Sequence, residues 1–353
     1  MIFTQKKDVI GLDIGSSSVK LLELQQGKNG YRLKNVGIGF LPPGAIIDGV
    51  IKELDAVTGI IQELVSNLKI KNKSVATSIS GHSVIIKNVS MPVMTEKELE
   101  ESIKWEAEQY IPFEIDDVNI DFQIMGENTE DKNKMNVLLV AAKQDMIGDY
   151  ITAIKGAGLN TVVMDIVSFA LMNMYELNYP YEEDNAIALI DIGANILNMN
   201  VLKNGVSVFT RDVSIGGNRI TEEIQKRKDI SYEEAEALKV GGTTEGVEYS
   251  EITDIIEEVF LSLAIEIQRS LDFFWATFAE ENISKICISG GCSKSLGFKR
   301  IIENRVAGIP IEVIDPFANI DCSDKNFDPK YLEYIAPLMA VGVGLALRQV
   351  GDK

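Results

Sequence analysis

The 353-residue sequence has one histidine, His82, and three cysteines, Cys287, Cys292 and Cys322, with no CxxC pair among them. No zinc site can be assembled from that set, and the odd, unpaired count reads as small buried thiols in a reducing compartment. Basic residues are also short: 34 Lys and Arg stand against 53 Asp and Glu, a net charge of −19. Nucleic acid and anionic lipid both require a basic surface, so neither is an expected partner. Long apolar runs are missing as well. The most apolar late stretch, 335–347, has 13 residues, whereas a bilayer-spanning helix needs about 20. Residues 1–8 carry no apolar signal-peptide segment. The expectation is a cytoplasmic protein with no direct membrane insertion.

What is present is enough apolar residue, 46%, to build a large core in more than one unit. Residues 9–14 read as a buried strand, 15–18 as a turn, 19–25 as a second strand, 27–30 as a hairpin turn and 31–40 as a third strand. A helix is expected over 50–68, with Val50, Leu54, Val57, Ile61, Leu64 and Leu68 on one face. The pattern is then repeated. Strand 186–192 is followed by the turn Gly193-Ala194-Asn195, return strand 196–202, hairpin 203–205 and strand 206–213, after which Gly216-Gly217 opens a helix over 218–227. Asp13-Ile14-Gly15 and Asp191-Ile192-Gly193 lie 178 residues apart, each closing an apolar strand. Solenoid periods run only to about 50 residues, so this is a duplicated domain.

Residues 80–159 do not fit the duplicated unit and read as an insertion. They comprise an acidic amphipathic helix over 96–110 with Leu99, Ile103 and Ala107 on one face, strand 118–125, loop 126–134, strand 135–142 and helix 143–156. Helices over 231–239 and 250–281 and a buried strand over 285–289 follow the second copy.

Two strand–Asp–x–Gly–turn units facing each other could cradle phosphate oxygens with backbone N–H groups and hold a magnesium ion on Asp13 and Asp191. Lys20 adds a cation to the first unit. Ser289-Gly290-Gly291 puts paired glycines after a strand, where backbone can approach a ligand closely. Either Asp-x-Gly alone is an ordinary strand-end turn; equivalent placement in two copies is the informative fact. Two other glycine patterns are not sites. Residues 290–295 lack the Walker A spacing, and Gly342-Val343-Gly344 lacks the third Rossmann glycine.

The ordered set Leu12-Asp13-Ile14-Gly15-Ser16-Ser17-Ser18-Val19-Lys20, Asp191-Ile192-Gly193-Ala194-Asn195 and Ser289-Gly290-Gly291 resembles the actin, heat-shock-chaperone and sugar-kinase superfamily. The resemblance implies an α/β, duplicated RNase H-like (actin-like ATPase) fold clasping ATP and Mg2+. It implies that Asp13 and Asp191 hold the metal, that Gly15, Ser16, Ser17, Ser18, Lys20, Gly193, Ala194 and Asn195 meet the phosphates, and that Gly216, Gly217, Gly290 and Gly291 line the nucleoside side. Glu236 and Lys239 match a nucleoside-contacting pair, or else form a solvated helix face. Asp165 matches a residue that orients attacking water, or else is a helix N-cap.

Val89-Ser90-Met91-Pro92, Trp105-Glu106-Ala107-Glu108-Gln109-Tyr110-Ile111-Pro112-Phe113 and residues 216–221 narrow the resemblance to the type IV pilus assembly family PilM, itself similar to the division protein FtsA. The implied layout is a first lobe over 1–80, completed by about 160–184 and a C-terminal helix over 333–353. An inserted 1C interaction subdomain spans 81–159, and a second lobe 185–332 with a 2B part at about 218–262. The family implies a cytoplasmic scaffold that docks the cytoplasmic tail of PilN beside the insertion, is recruited to the inner membrane through that partner, links to the assembly motor ATPase and hydrolyses ATP slowly if at all. Trp105, Tyr110, Pro112 and Phe113 are docking residues or, more simply, subdomain core. The competing readings are a small-molecule kinase of the superfamily and a self-associating, division-type filament.

Overall fold

A computed structural model describes residues 8–352 except 29, 129–130, 182–184, 245, 280, 296 and 307. Residues 1–7, where no signal-peptide segment is expected, and parts of the turn at 27–30, the loop at 126–134 and the helix over 250–281 therefore lie outside the described residues.

The chain opens with β1 (Ile10–Ile14), β2 (Ser18–Gly27) and β3 (Gly30–Phe40), an antiparallel meander. The expected helix over 50–68 starts later than its apolar face suggests. Ile46–Ile47 (β4) and Val50–Ile51 (β5) form a small hairpin around Asp48 and Gly49, both at positive φ, and α1 runs Leu54–Asn67. The Asp-Gly dipeptide between β-branched residues is a strong two-residue turn signal, and it overrides the helical period. β6 (Ser74–Ile79) then joins β1 in parallel.

The insertion is a three-stranded antiparallel sheet, β7 (Val84–Pro92), β8 (Val118–Glu127) and β9 (Lys134–Lys143), in the order β7-β9-β8, with α2 (Glu96–Glu108) on one face. α2 begins with a reciprocal capping box in which Thr95 Oγ1 accepts from the Glu98 N–H and Glu98 returns a bond to the Thr95 N–H. It buries Leu99, Ile103 and Ala107 against Val89, Val137, Leu139 and Ala141. Thr95→Ala removes that cap and is expected to cost about 1 kcal/mol, seen as faster amide hydrogen exchange confined to the insertion.

α3 (Gln144–Gly156), expected within the insertion, instead packs Met146, Tyr150, Ala153 and Ile154 into the core under α1 and the first sheet. Next come β10 (Asn160–Ile166), α4 (Val167–Asn178), β11 (Ala186–Ile192), β12 (Leu197–Lys203), β13 (Val206–Val213), α5 (Asn218–Lys228), α6 (Tyr232–Lys239) and α7 (Thr253–Thr277). β14 (Ile283–Ser289), α8 (Phe298–Arg305), β15 (Ile311–Val313), β16 (Ile320–Asp321), α9 (Pro329–Ile335) and α10 (Ala340–Ala346) complete the chain.

The first sheet has the order β10-β6-β1-β2-β3-β16 and the second β13-β12-β11-β14-β15. In each, an antiparallel meander is extended by parallel strands beside its first member, so the second sheet repeats the first. β16 pairs with β3, which returns the chain to the first sheet before residue 332. Between the sheets, α4 and α10 share a core with Leu22, Leu24, Ile187, Leu189 and Cys287. α10 lies almost in backbone contact with its neighbours: a Cβ on Gly11 would meet Gly342 O at 2.3 Å, and one on Gly344 would meet Ala170 O at 1.7 Å.

Three hydrogen bonds tie the base of the insertion to β13 and to Ser214, the residue after it. The Gly81 N–H donates to Asp212 Oδ2 at 2.7 Å, His82 Nε2 pairs with Ser214 Oγ at 2.8 Å, and Asn88 Nδ2 donates to Val208 O at 3.1 Å. Among the described residues, no helix is long and apolar enough to cross a membrane.

Candidate functional site

The two Asp-x-Gly turns are closed in the same way. Gly15 N–H donates to Ser18 O at 3.0 Å, and Gly193 N–H to Ile196 O at 3.0 Å. The strand registers correspond as well: Asp13 sits opposite Lys20, and Asp191 opposite Asn198. In the first unit the Lys20 ammonium bonds Asp13 Oδ2 at 2.9 Å, with both side chains largely buried. In the second, the cross-strand place is taken by a neutral amide. Asn198 is 5% exposed, and its Oδ1 makes no hydrogen bond. Sequence reasoning missed Asn198; its position seven residues after Asp191, like Lys20 after Asp13, was the available signal.

Asp191 is held by Ser289 Oγ, which donates to its Oδ1 at 2.7 Å. Burial lifts its carboxyl to about 6; the Ser289 bond and Lys20 oppose the rise, while the neighbouring Asp13 charge adds to it. The two aspartates therefore share one electrostatic environment, and the two turns face each other. Asn195 Nδ2 reaches Ile46 O across the lobes at 3.4 Å, and Asn195 Oδ1 accepts from Asn218 Nδ2 at 2.7 Å.

The glycine pairs converge on the second turn. Gly217 N–H donates to Gly193 O at 3.0 Å and Asn218 N–H to Ala194 O at 2.8 Å. A Cβ on Gly216 would meet Gly193 O and Ala194 O, both at 2.5 Å, and one on Gly290, at φ 83°, would meet Ile192 O at 2.4 Å. Neither position can carry a side chain without backbone movement. Gly291 is different: a Cβ there meets nothing within 4 Å, so it borders open space. Cys292 turns its sulfur toward Gly217 and feels the charges of Lys239, Asp191 and Glu236.

Glu236 and Lys239 do not form a plain solvated face. Glu236 Oε2 accepts from Thr221 Oγ1 at 2.6 Å and from Lys239 Nζ, and Lys239 Nζ also donates to Thr221 Oγ1 at 2.9 Å. Asp165 is not an N-cap. It lies within β10, and α4 begins two residues later with no side-chain cap. Register through Ser78 puts it on the same sheet face as Asp13. Its Oδ1 accepts from the Ile166 N–H at 2.7 Å, and Oδ2 lies 3.4 Å from Arg348 Nη1. Burial raises its carboxyl, and Arg348 opposes the rise.

In the insertion, Tyr110 and Phe113 pack on the core, but Trp105 is 79% exposed. Its expected place in the subdomain core is overturned, because the buried face of α2 is already filled by Leu99, Ile103 and Ala107. A cavity of about 280 Å³ between the insertion and α3 is lined by Phe113, Glu114, Asp117, Lys143, Gln144 and Asp145. Another of about 510 Å³, bordered by Tyr31, Asn173, Glu176 and Arg348, lies away from the turns. Among the described residues, no three His, Cys, Asp or Glu side chains come together as a metal cage.

The family model for the type IV pilus assembly protein PilM matches residues 11–350. A PilM–PilN type IV pilus biogenesis complex is similar over 99% of this chain and 100% of that one, with 30% identity and a TM-score of 0.86. The cell division protein FtsA of Staphylococcus epidermidis is 22% identical over 84% of this chain and 72% of its own length. The MreB 5 protein of Spiroplasma citri, bound to AMPPNP, covers 96% of this chain and 95% of that one at 15% identity and a TM-score of 0.50. The fold is that of the actin-like ATPases.

Proposed function

The chain belongs to the PilM family of type IV pilus assembly proteins, and from that premise we propose that it is an ATP-binding cytoplasmic scaffold that docks the cytoplasmic tail of a PilN partner. Through that partner it is recruited to the inner membrane and linked to the assembly motor. The observation that carries the nucleotide half is the pair of facing turns, with Asp13 and Lys20 on one side and Asp191 and Asn198 on the other. A carboxylate already lifted to about 6 beside a second carboxylate is a site short of positive charge. With two carboxylates and, among the described residues, no third acidic, histidine or cysteine ligand, a magnesium ion there would be completed by phosphate oxygens and water. Magnesium would supply charge neutralisation between the triphosphate and Asp13 and Asp191. The glycines at 193, 216, 217 and 290 keep backbone close around the ligand. Lys20 and the N–H groups of residues 16–18, 194 and 195 meet the phosphates while those of Gly15 and Gly193 close the turns, and Glu236 and Lys239 meet the nucleoside. Asp165 would act on attacking water only if released from Arg348, which fits slow turnover.

The docking half rests on the 280 Å³ cavity between the insertion and α3, whose acidic rim of Glu114, Asp117 and Asp145 beside Phe113 suits a tail segment with basic and apolar side chains. ATP joins the two lobes and changes tail affinity only to the extent that the tail binds the closed form differently.

Calorimetric titration of a PilN tail peptide, with and without Mg-ATP, tests both halves. Binding in both conditions with different affinity is expected; no binding in either removes the docking assignment. In the same experiment Asp13→Ala is expected to weaken Mg-ATP by about tenfold or more, the loss of one charged metal contact. Unchanged affinity would remove the cleft assignment.

A further inference from the structure

We propose that Asp212 is a latch between the nucleotide cleft and the insertion. It holds Gly81 while the two Asp-x-Gly turns face each other and releases it when the lobes part, so that nucleotide and insertion each sense the other. This deepens the nucleotide reading above and rests on it.

Asp191, Asn198 and Asp212 lie directly opposite one another on β11, β12 and β13. Residues paired in this way carry their side chains on one face of the sheet. Two strand spacings put Asp212 about 10 Å from Asp191, too far to touch a metal there but on the same sheet. Asp212 Oδ2 accepts the Gly81 N–H at 2.7 Å. Burial raises this carboxyl, and the Gly81 bond and the His82 ring oppose the rise. A buried acceptor that loses its donor is costly, so Asp212 favours the arrangement that keeps Gly81 in place.

Gly81 sits where the two lobes meet. It lies between β6 and β7, at φ 94°, and a Cβ on it would meet Asp48 O at 3.0 Å and Ile196 Cδ1 at 3.2 Å. Asp48 belongs to the β4–β5 hairpin of the first lobe, and Ile196 closes the second turn by accepting from the Gly193 N–H. His82 with Ser214, and Asn195 with Ile46 O, cross the same seam. Parting the lobes would separate Asp212 from Gly81 and Asn195 from Ile46 together. From Gly81 the connection runs on into the insertion. The Val84 N–H donates to Gly81 O at 3.0 Å, and the Lys143 N–H to Ser83 O at 3.1 Å. Lys143 lines the cavity between the insertion and α3. A ligand that holds the turns together therefore stabilises the Asp212–Gly81 bond, and by reciprocity the bond tightens the ligand.

The test is deuterium exchange and calorimetry on the full chain, with and without Mg-ATP. In the wild type, Mg-ATP is expected to slow exchange over residues 80–84 by about fivefold or more, the low end of ordinary coupling between sites. Asp212→Ala is expected to exchange fast there in both conditions and to bind Mg-ATP about fivefold more weakly. Asp212→Asn keeps an oxygen for the Gly81 N–H and is expected to retain both properties. If Asp212→Ala does not fold, His82→Ala, at an exposed side chain, takes its place, with a loss of about threefold expected. Mg-ATP binding that leaves exchange over 80–84 unchanged overturns the latch alone, as does unaltered affinity in the variant tested. Equal losses in Asp212→Asn and Asp212→Ala also overturn it, since the acceptor would then not be what matters. A wild-type chain that does not bind Mg-ATP refutes the nucleotide reading itself, and the latch with it.

Discussion

Gly344→Ala is expected to cost about 3 kcal/mol or more, a fall of about 6 °C or more in melting temperature or outright insolubility. Gly342→Ala, two residues earlier in the same helix, is expected to be tolerated. The difference is one of distance. A methyl group on Gly344 would stand 1.7 Å from Ala170 O and 2.5 Å from Ala170 C. These are backbone atoms of α4, which cannot swing aside as a flexible side chain could. One or both helices would have to shift, and the core they share with Leu22, Ile187 and Cys287 would open. At Gly342 the nearest atom is Leu22 Cβ, at 4.0 Å, an ordinary contact, and alanine gains helix propensity of about 1 kcal/mol. Thermal melts of the two variants side by side decide it; equal loss in both would mean that helix packing at Gly344 is not the limiting contact.

The second large effect is expected at Asp191, with opposite signs for stability and for ligand. Its carboxyl is lifted to about 6 in the folded chain, against about 3.9 when unfolded. A raised carboxylate binds more protons folded than unfolded, so its contribution to stability is fully present at low pH and is lost as pH rises from about 4 through 6. At neutral pH the ionised side chain therefore costs the ligand-free fold about 3 kcal/mol. Asp191→Asn removes that charge and retains an oxygen to accept the Ser289 hydroxyl. Without ligand it is expected to be more stable than wild type at pH 7–8, with the gain vanishing near pH 4. Mg-ATP affinity is expected to fall by about tenfold or more in the same variant, because one of the two carboxylates proposed to face magnesium is gone. Urea unfolding at pH 4.5 and 7.5 reads the first part, and calorimetry the second. Destabilisation of Asp191→Asn at pH 7.5 would show that the carboxylate is paid no such penalty in the fold.

The duplication was legible because its signal is local: a strand, an aspartate, a glycine turn and a return strand, written twice. The structure repeats it down to the turn bonds of Gly15 and Gly193 and the registers of Asp13 with Lys20 and Asp191 with Asn198. What was not legible depends on partners distant in sequence. Period alone extended α1 over Val50 and Ile51, which pair instead with Ile46 and Ile47. α3 follows directly on the insertion's last strand, and only tertiary packing assigns it to the first lobe's core. From its neighbours in sequence Asp165 is either a water-orienting residue or a cap, whereas its partner Arg348 lies 183 residues away. Gly342-Val343-Gly344 lacks the spacing of a nucleotide motif, and nothing in the sequence signals that one of its glycines touches another helix's backbone and the other does not. Ser289 stood in a recognised motif, yet its hydrogen bond to Asp191 crosses from one strand to the next and has no sequence signature.

The bonds from Gly81 and Asn88 to β13, and from His82 to Ser214 just after it, bear on how the chain avoids its own kind. β13 is the outer strand of the second sheet, and an outer strand with unsatisfied carbonyls is a template on which another chain can lay a strand. The Asn88 amide takes the Val208 carbonyl, at the point where the β12–β13 register is broken by a bulge. A strand arriving from a second copy would meet an occupied acceptor and a kinked backbone there. The insertion thus serves as a guard against sheet-to-sheet aggregation.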